Sequence, residues 1–200
     1  MRTSDLVVTA EQMPRLNRML ETNTRFSQLA CALLLTTTLA QPSSGIAAKA
    51  SHVVFDEPHL QPNWQLPVIA NGSGSLSRDQ LTGRVVYLDF WASWCGPCRL
   101  SLPALNRLFN EFSREGFSVV AISVDYVDED ALDFLQRFPV DYPVLIDTTG
   151  NSGRSFAVAG MPTGYLIDRS GNIREVHMGF RKGDEDILRD RIKLLINEEP

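Results

Sequence analysis

The seven residues Val85-Val86-Tyr87-Leu88-Asp89-Phe90-Trp91 are followed, after Ala92-Ser93-Trp94, by Cys95-Gly96-Pro97-Cys98 and then by Arg99-Leu100-Ser101-Leu102-Pro103-Ala104-Leu105. The first run is apolar at every position except Asp89, with no alternation, which predicts a central strand covered on both faces. The third run opens a helix. Pro97 fits its first turn, where a missing N–H removes no bond, and Leu102, Leu105, Leu108, Phe109 and Phe112 recur at the helical period. Pro103 falls inside that helix and is predicted to kink it. A buried strand that feeds a helix through a short loop is the central unit of an α/β sheet. The loop carries two thiols two residues apart, so one can be exposed and acidified while the other waits behind it.

The remaining segments extend this unit. Residues 51–63 contain Pro58 and Pro62 and read as irregular, and Trp64–Val68 reads as a short strand that Pro67 confines to an edge. Ser77 caps a short turn through Leu81, ended by Gly83. Phe117–Asp125 and Pro143–Asp147 read as strands, with a helix over Asp128–Phe138 between them and a short one over Ser152–Phe156 after them. Thr163–Asp168 and Ile173–Met178 form a hairpin across Arg169-Ser170-Gly171-Asn172. Asp184–Ile196 closes the chain as a helix with Ile187, Leu188, Ile192, Leu195 and Ile196 on its apolar stripe. The expected fold class is α/β, a mixed sheet with helices on both faces.

Charge and cysteine count exclude several classes. The 200 residues carry a net charge of −5, without a Lys/Arg block, which argues against nucleic acid as a partner. Three cysteines (Cys31, Cys95, Cys98) are too few for a disulfide scaffold. A zinc site built on the Cys95/Cys98 pair needs two further ligands. The chain offers only His52, His59 and His177 and no second C-x-x-C, so no metal is expected.

The N-terminal 50 residues read separately. Leu29–Ala40 is a short apolar stretch, preceded by Arg15, Arg18 and Arg25 and followed by Ala48-Lys49-Ala50. That pattern fits an export signal cleaved after Ala50, with Ala48 a rival site, or a retained membrane anchor. The leading segment is long for a signal and carries Asp5, Glu11 and Glu21, so a disordered cytosolic extension is a further alternative, and Met13 and Met19 offer alternative starts. Residues 51–200 then form the exported domain, with 14 Lys/Arg against 21 Asp/Glu, a surface not drawn to anionic lipid.

Two stretches, Leu88-Asp89-Phe90-Trp91-Ala92-Ser93-Trp94-Cys95-Gly96-Pro97-Cys98-Arg99 and Gly160-Met161-Pro162-Thr163-Gly164-Tyr165-Leu166-Ile167-Asp168, give the chain a resemblance to the thioredoxin superfamily. Over roughly residues 60–197 it looks most like the exported TlpA/ResA-type thiol-disulfide oxidoreductases, which carry an extra strand and helix, here between Phe117 and Asp147. The resemblance implies a thioredoxin-like sheet and a set of roles. Cys95 is the nucleophile, its thiolate favoured at a helix N-terminus below the free value of about 8.5, and Cys98 resolves the mixed disulfide. Asp89 matches the buried acid that exchanges a proton with Cys98; an Asp bonded to backbone at a strand end is the alternative. Pro162 follows a cis bond and presents the Met161 backbone, with Thr163, to an extended substrate. Trp94 lies at the rim beside Cys95, and Gly96 and Pro97 set the stiffness of the loop and its potential. Gly-Pro resembles the reducing thioredoxins. Asp125, Asp128, Glu129 and Asp130 read as a solvated acidic helix start, and His177 as a strand residue without chemistry.

The expected activity is reduction of protein disulfides outside the cytoplasm, in the periplasm, by a Cys95/Cys98 cycle with no cofactor beyond that disulfide. The partners are protein thiols and disulfides and a membrane electron donor, with cytochrome c maturation a client process suggested by the family, and the chain is read as a monomer. A redoxin-type thiol peroxidase is the first alternative, although its cysteine lies in a Thr-x-x-Cys setting where this chain has Ala92-Ser93-Trp94. A dithiol copper chaperone is the second.

Overall fold

The computed structural model describes residues 51–199. In chain order its strands and helices are β1 (Ser51–Leu60), β2 (Gln65–Ala70), β3 (Ser75–Ser77), β4 (Val85–Trp91), α1 (Cys98–Phe112), β5 (Phe117–Ser123), α2 (Asp128–Arg137), β6 (Val144–Ile146), α3 (Asn151–Ser155), β7 (Thr163–Ile167), β8 (Asn172–Met178) and α4 (Asp184–Asn197). The strands form one open mixed sheet in the order β1-β8-β7-β4-β5-β6-β2-β3.

The unalternated run Val85–Trp91 becomes the middle of this sheet, and all seven residues of β4 are buried. β4 pairs in parallel with β5 and antiparallel with β7, so its backbone is bonded on both sides. β5 pairs in parallel with β6. The connections from β4 to β5 and from β5 to β6 each pass through a helix and step the same way across the sheet, so α1 and α2 cover the same face. Val85, Tyr87 and Trp91 of β4 lie in the core on that face, with Leu102, Leu105 and Leu108 of α1, Phe134 of α2, and Leu188 and Ile192 of α4. The alternate residues Val86, Leu88 and Phe90 face a second core with Trp64, Phe156 and Tyr165, under the short α3 and the 3-10 turn Arg78–Leu81. The helices are therefore unequally divided, with the three long ones on one face.

Several expectations are corrected. Residues 51–60 form a strand, not an irregular segment. β1 pairs antiparallel with β8 at the sheet edge, and its register breaks between Val54 and His59. Its partner lies more than a hundred residues away in the chain, and much of its surface is exposed, so no local pattern announces it. β2 is not confined to an edge: Gln65–Pro67 pairs with β3, and Val68 and Ala70 pair with β6. Pro67 sits where the strand is paired on one side only, which tolerates a residue without a donor. Pro97 precedes the first helical residue instead of occupying the first turn. Ile187 is 47% exposed and leaves the apolar face of α4 to Leu188, Ile192 and Leu195. Pro103 lies inside α1, as expected. The segment 1–50, with its export reading, lies outside the described residues. Among the described residues no helix is long and apolar enough to cross a membrane.

Candidate active site

The loop after β4 folds tightly because its own backbone closes it. The Cys95 N–H donates to Ala92 O at 3.1 Å, the Arg99 N–H to Gly96 O at 3.2 Å, and the Leu100 N–H to Pro97 O at 2.9 Å. Cys98 is the first residue of α1, and its sulfur is bonded to that of Cys95. Cys95 is less open than expected, at 4% exposed, and Cys98 is fully buried. In the disulfide state both sit in the first core with Trp91 and Ala92, and half-buried Met161 packs against it. Gly96 and Pro97 are exposed, and Trp94 stands out at 68% exposed, so the indole is at the rim and not in the core.

The loop is also held from outside. Asp125, just after β5, accepts from the Ser93 N–H at 3.0 Å, from the Ser93 hydroxyl at 2.9 Å and from the Ser123 hydroxyl at 2.8 Å. Val124 N–H donates to Trp91 O at 3.0 Å. Asp125 is 2% exposed, whereas Asp128, Glu129 and Asp130 lie in solvent at the start of α2. The expected acidic cluster thus splits into one buried clasp and three solvated residues. The clasp was legible only as an Asp near a strand end, because its partner Ser93 is 32 residues away.

Beneath the loop, Asp89 is 1% exposed, and neither carboxylate oxygen has a hydrogen-bond partner among the described residues. The alternative of an Asp bonded to backbone is therefore not what the structure holds. Burial alone pushes its pKa well above the ordinary carboxyl value, since nothing stabilises the anion. Asp89 shares its face of β4 with Tyr87 and Trp91, the face of the core that contains both cysteines. Opposite Asp89 in β7 is Gly164. A Cβ there would meet the Tyr87 hydroxyl oxygen at 2.0 Å, so glycine at 164 is what lets the phenol lie over the strand.

The Met161–Pro162 peptide is cis, as the family resemblance implies. Thr163, the first residue of β7, is buried, pairs with Phe90 and donates from its hydroxyl to Gly160 O at 2.7 Å.

A second polar cluster went unread in the sequence. His52 of β1 and His177 of β8 are directly opposite each other. His52 Nδ1 bonds to Glu175, whose other oxygen accepts from Arg191 Nε at 2.9 Å, and His177 Nε2 lies 3.1 Å from Asp184 of α4. Burial, then His52, pulls the His177 pKa down, while Asp184 acts against them. The only local signal was two histidines in apolar surroundings, and the segment holding one of them read as irregular.

A cysteine pair at the head of a helix, after the central strand of a mixed sheet with a cis-proline strand beside it, defines a protein of the thioredoxin fold. More particularly, the chain belongs to the Redoxin family, whose model matches residues 58–192. Among curated relatives it is 32% identical over 91 residues to the thiol-disulfide oxidoreductase ResA of Bacillus thuringiensis subsp. konkukian, covering 46% of this chain and 53% of that one. To the ResA of Oceanobacillus iheyensis it is 29% identical over 133 residues, covering 66% and 69%. The match thus spans about half the length of the first of these relatives. Among solved structures it is 40% identical, with a TM-score of 0.67, to a chain described as a thiol:disulfide interchange protein DsbE from Chlorobium tepidum, covering 71% of this chain and 99% of that one. A secreted thiol-disulfide isomerase from Corynebacterium glutamicum, at 23% identity and a TM-score of 0.65, shares the fold.

Proposed function

We propose that the chain is a thiol-disulfide oxidoreductase that reduces protein disulfides outside the cytoplasm. The observation that carries this reading is the Cys95–Cys98 disulfide at the head of α1, above a buried and unpartnered Asp89. In the reduced protein the Cys95 thiolate attacks one sulfur of a client disulfide. A mixed disulfide forms, and the other client sulfur leaves as a thiolate. Cys98 then gives its proton to Asp89 and attacks Cys95 Sγ, releasing the second client thiolate and restoring the intramolecular disulfide. Two electrons pass to the client, and a thiol donor must return them. For an exported domain that donor sits in the membrane, because cytosolic thiols do not reach it.

Asp89 suits the proton step because its raised pKa lies nearer that of a thiol than an ordinary carboxylate does. Thr163 is buried and already paired on both sides in β7, whereas Met161, half-buried against the cysteine core and just before the cis-proline, is the backbone that would pair with an extended client segment. Trp94, Gly96 and Pro97 offer the exposed rim on which it lands. The location rests on residues 29–40, and the client class suggested by the family is a protein with a cysteine pair, such as an apocytochrome c.

The test is reduction of insulin with dithiothreitol as donor. Cys95→Ser should abolish it, and Cys98→Ser should accumulate a mixed disulfide. An unaffected Cys95→Ser protein ends the reading. A potential near about −270 mV marks a reductant and one near about −120 mV an oxidant. Rapid peroxide turnover would move the chain to the thiol peroxidases.

A further inference from the structure

We propose that His52, His177 and Asp184 form a binding site for one divalent first-row transition-metal cation, at the edge of the sheet where β1, β8 and the start of α4 meet. One ring nitrogen from each histidine and one Asp184 oxygen lie within 4.8 Å of one another. The two imidazoles face each other edge to ring, with centroids 4.0 Å apart. Each keeps a buried ring nitrogen with no hydrogen-bond partner among the described residues, Nε2 on His52 and Nδ1 on His177. A buried polar atom left unpaired is costly. The His52 Nε2 lone pair, left without a donor at this place, is what a site built for a Lewis acid presents.

The surroundings have the form of a ligand-orienting shell. A ring nitrogen held against a carboxylate carries the proton, so Glu175 fixes His52 with Nδ1 protonated and Nε2 as a lone pair. Glu175 is itself anchored by Arg191. Asp184 is steadied by the Arg181 N–H at 2.8 Å. His177 Nε2 and Asp184 Oδ2, 3.1 Å apart, have roughly the separation of two ligands that share one ion at bonds of about 2.0–2.1 Å, and the ion takes the place of the proton that they share, the ring's remaining proton lying on Nδ1. The three ligand atoms lie within 4.8 Å of one another, so His52 moves inward to complete a three-ligand set. Charge agrees: two carboxylates against the single Arg191 guanidinium leave the cluster negative when both imidazoles are neutral. His177 is buried, and the His52 side chain is about a quarter exposed, so the cluster lies next to the surface.

The donor set decides the class of ion. Two imidazole nitrogens and one carboxylate suit zinc, iron(II) and their neighbours, whereas calcium and magnesium prefer all-oxygen shells. Binding would fasten β1 to β8 and α4. It would also lie in line with the redox centre, because His52, His177, Gly164 and Asp89 occupy one row across β1, β8, β7 and β4.

Zinc is the probe, since it does not react with the disulfide by electron transfer. The full chain is used with Cys31→Ser and with Cys95 and Cys98 oxidised, so no thiolate competes. Titration calorimetry should give one zinc per chain with a Kd in the micromolar range or tighter, and zinc should raise Tm. His52→Ala, on the edge strand, should weaken binding at least tenfold and abolish the Tm rise. Asp184→Asn, which keeps the side-chain shape, should weaken it similarly. Cobalt(II) should give visible d–d bands that His52→Ala removes. A Kd in the millimolar range for the parent, or less than a tenfold loss in both variants, overturns the proposal.

Discussion

Replacing Asp89 with Asn should flatten the dependence of stability on pH by an amount the burial of this group dictates. The folded protein holds Asp89 without a hydrogen bond at 1% exposure, and its pKa lies well above 3.8. Below 3.8 the carboxyl is protonated in both states and adds nothing to the pH slope. Above 3.8 the unfolded chain gives up this proton while the folded one keeps it, so the folded state binds one proton more. Unfolding free energy then falls by about 1.4 kcal/mol per pH unit, and levels off only once pH passes the folded pKa. Asn cannot titrate, so the parent minus Asn difference should show that slope alone. Carboxylates whose pKa is lowered, such as Asp147 and Glu185, slope the other way at more acidic pH and cancel in the difference. Urea unfolding of both oxidised proteins from pH 4 to pH 8 measures it. Parallel stability curves for parent and variant would refute the argument, because they would mean that Asp89 ionises in the folded protein as freely as in the unfolded chain.

Gly164→Ala should destabilise the protein by about 3 kcal/mol, at the upper end of overpacking costs, because the new methyl collides with the fully buried Tyr87 ring; urea midpoints give the value, and a loss under about 1 kcal/mol would mean that the ring moves freely. Asp125→Ala strips the acceptor from the Ser93 N–H and two hydroxyls, and should cost about 2–3 kcal/mol by thermal unfolding while raising hydrogen exchange at Ser93. Trp94→Ala removes a side chain already in solvent, so stability should shift by less than about 0.5 kcal/mol, while KM for a protein disulfide rises several-fold. An unchanged KM would take Trp94 out of client contact.

Legibility of the fold tracked how local each cause is. β4 and α1 were readable because an unbroken apolar run and a 3.6-residue period are properties of neighbouring residues. The position of Asp89 was readable as one acid in such a run, yet its lack of any partner depends on what α1 and β7 bring over it. β1 was missed because its pairing energy comes from β8, at the far end of the chain, and because Pro58 and its exposed residues argue locally for a loop. β3 is three residues long, too short to carry any period. Asp125 was grouped with Asp128, Glu129 and Asp130 by proximity in sequence, whereas Ser93, which sets it apart, joins it only in three dimensions. The histidine pair was hidden for the same reason. His52 and His177 become neighbours through the strand register, which no local reading of residues 51–63 supplies.

The clasp of Asp125 on Ser93 has a consequence for the exchange cycle itself. Because the peptide before Cys95 is moored to the strand next door and not only through sulfur, opening the S–S bond should free two side chains and leave the frame that carries them in place. In the proposed cycle electrons would then enter or leave with little rearrangement of the surrounding chain, and the direction of flow would be set by the potentials of the pair and its partner.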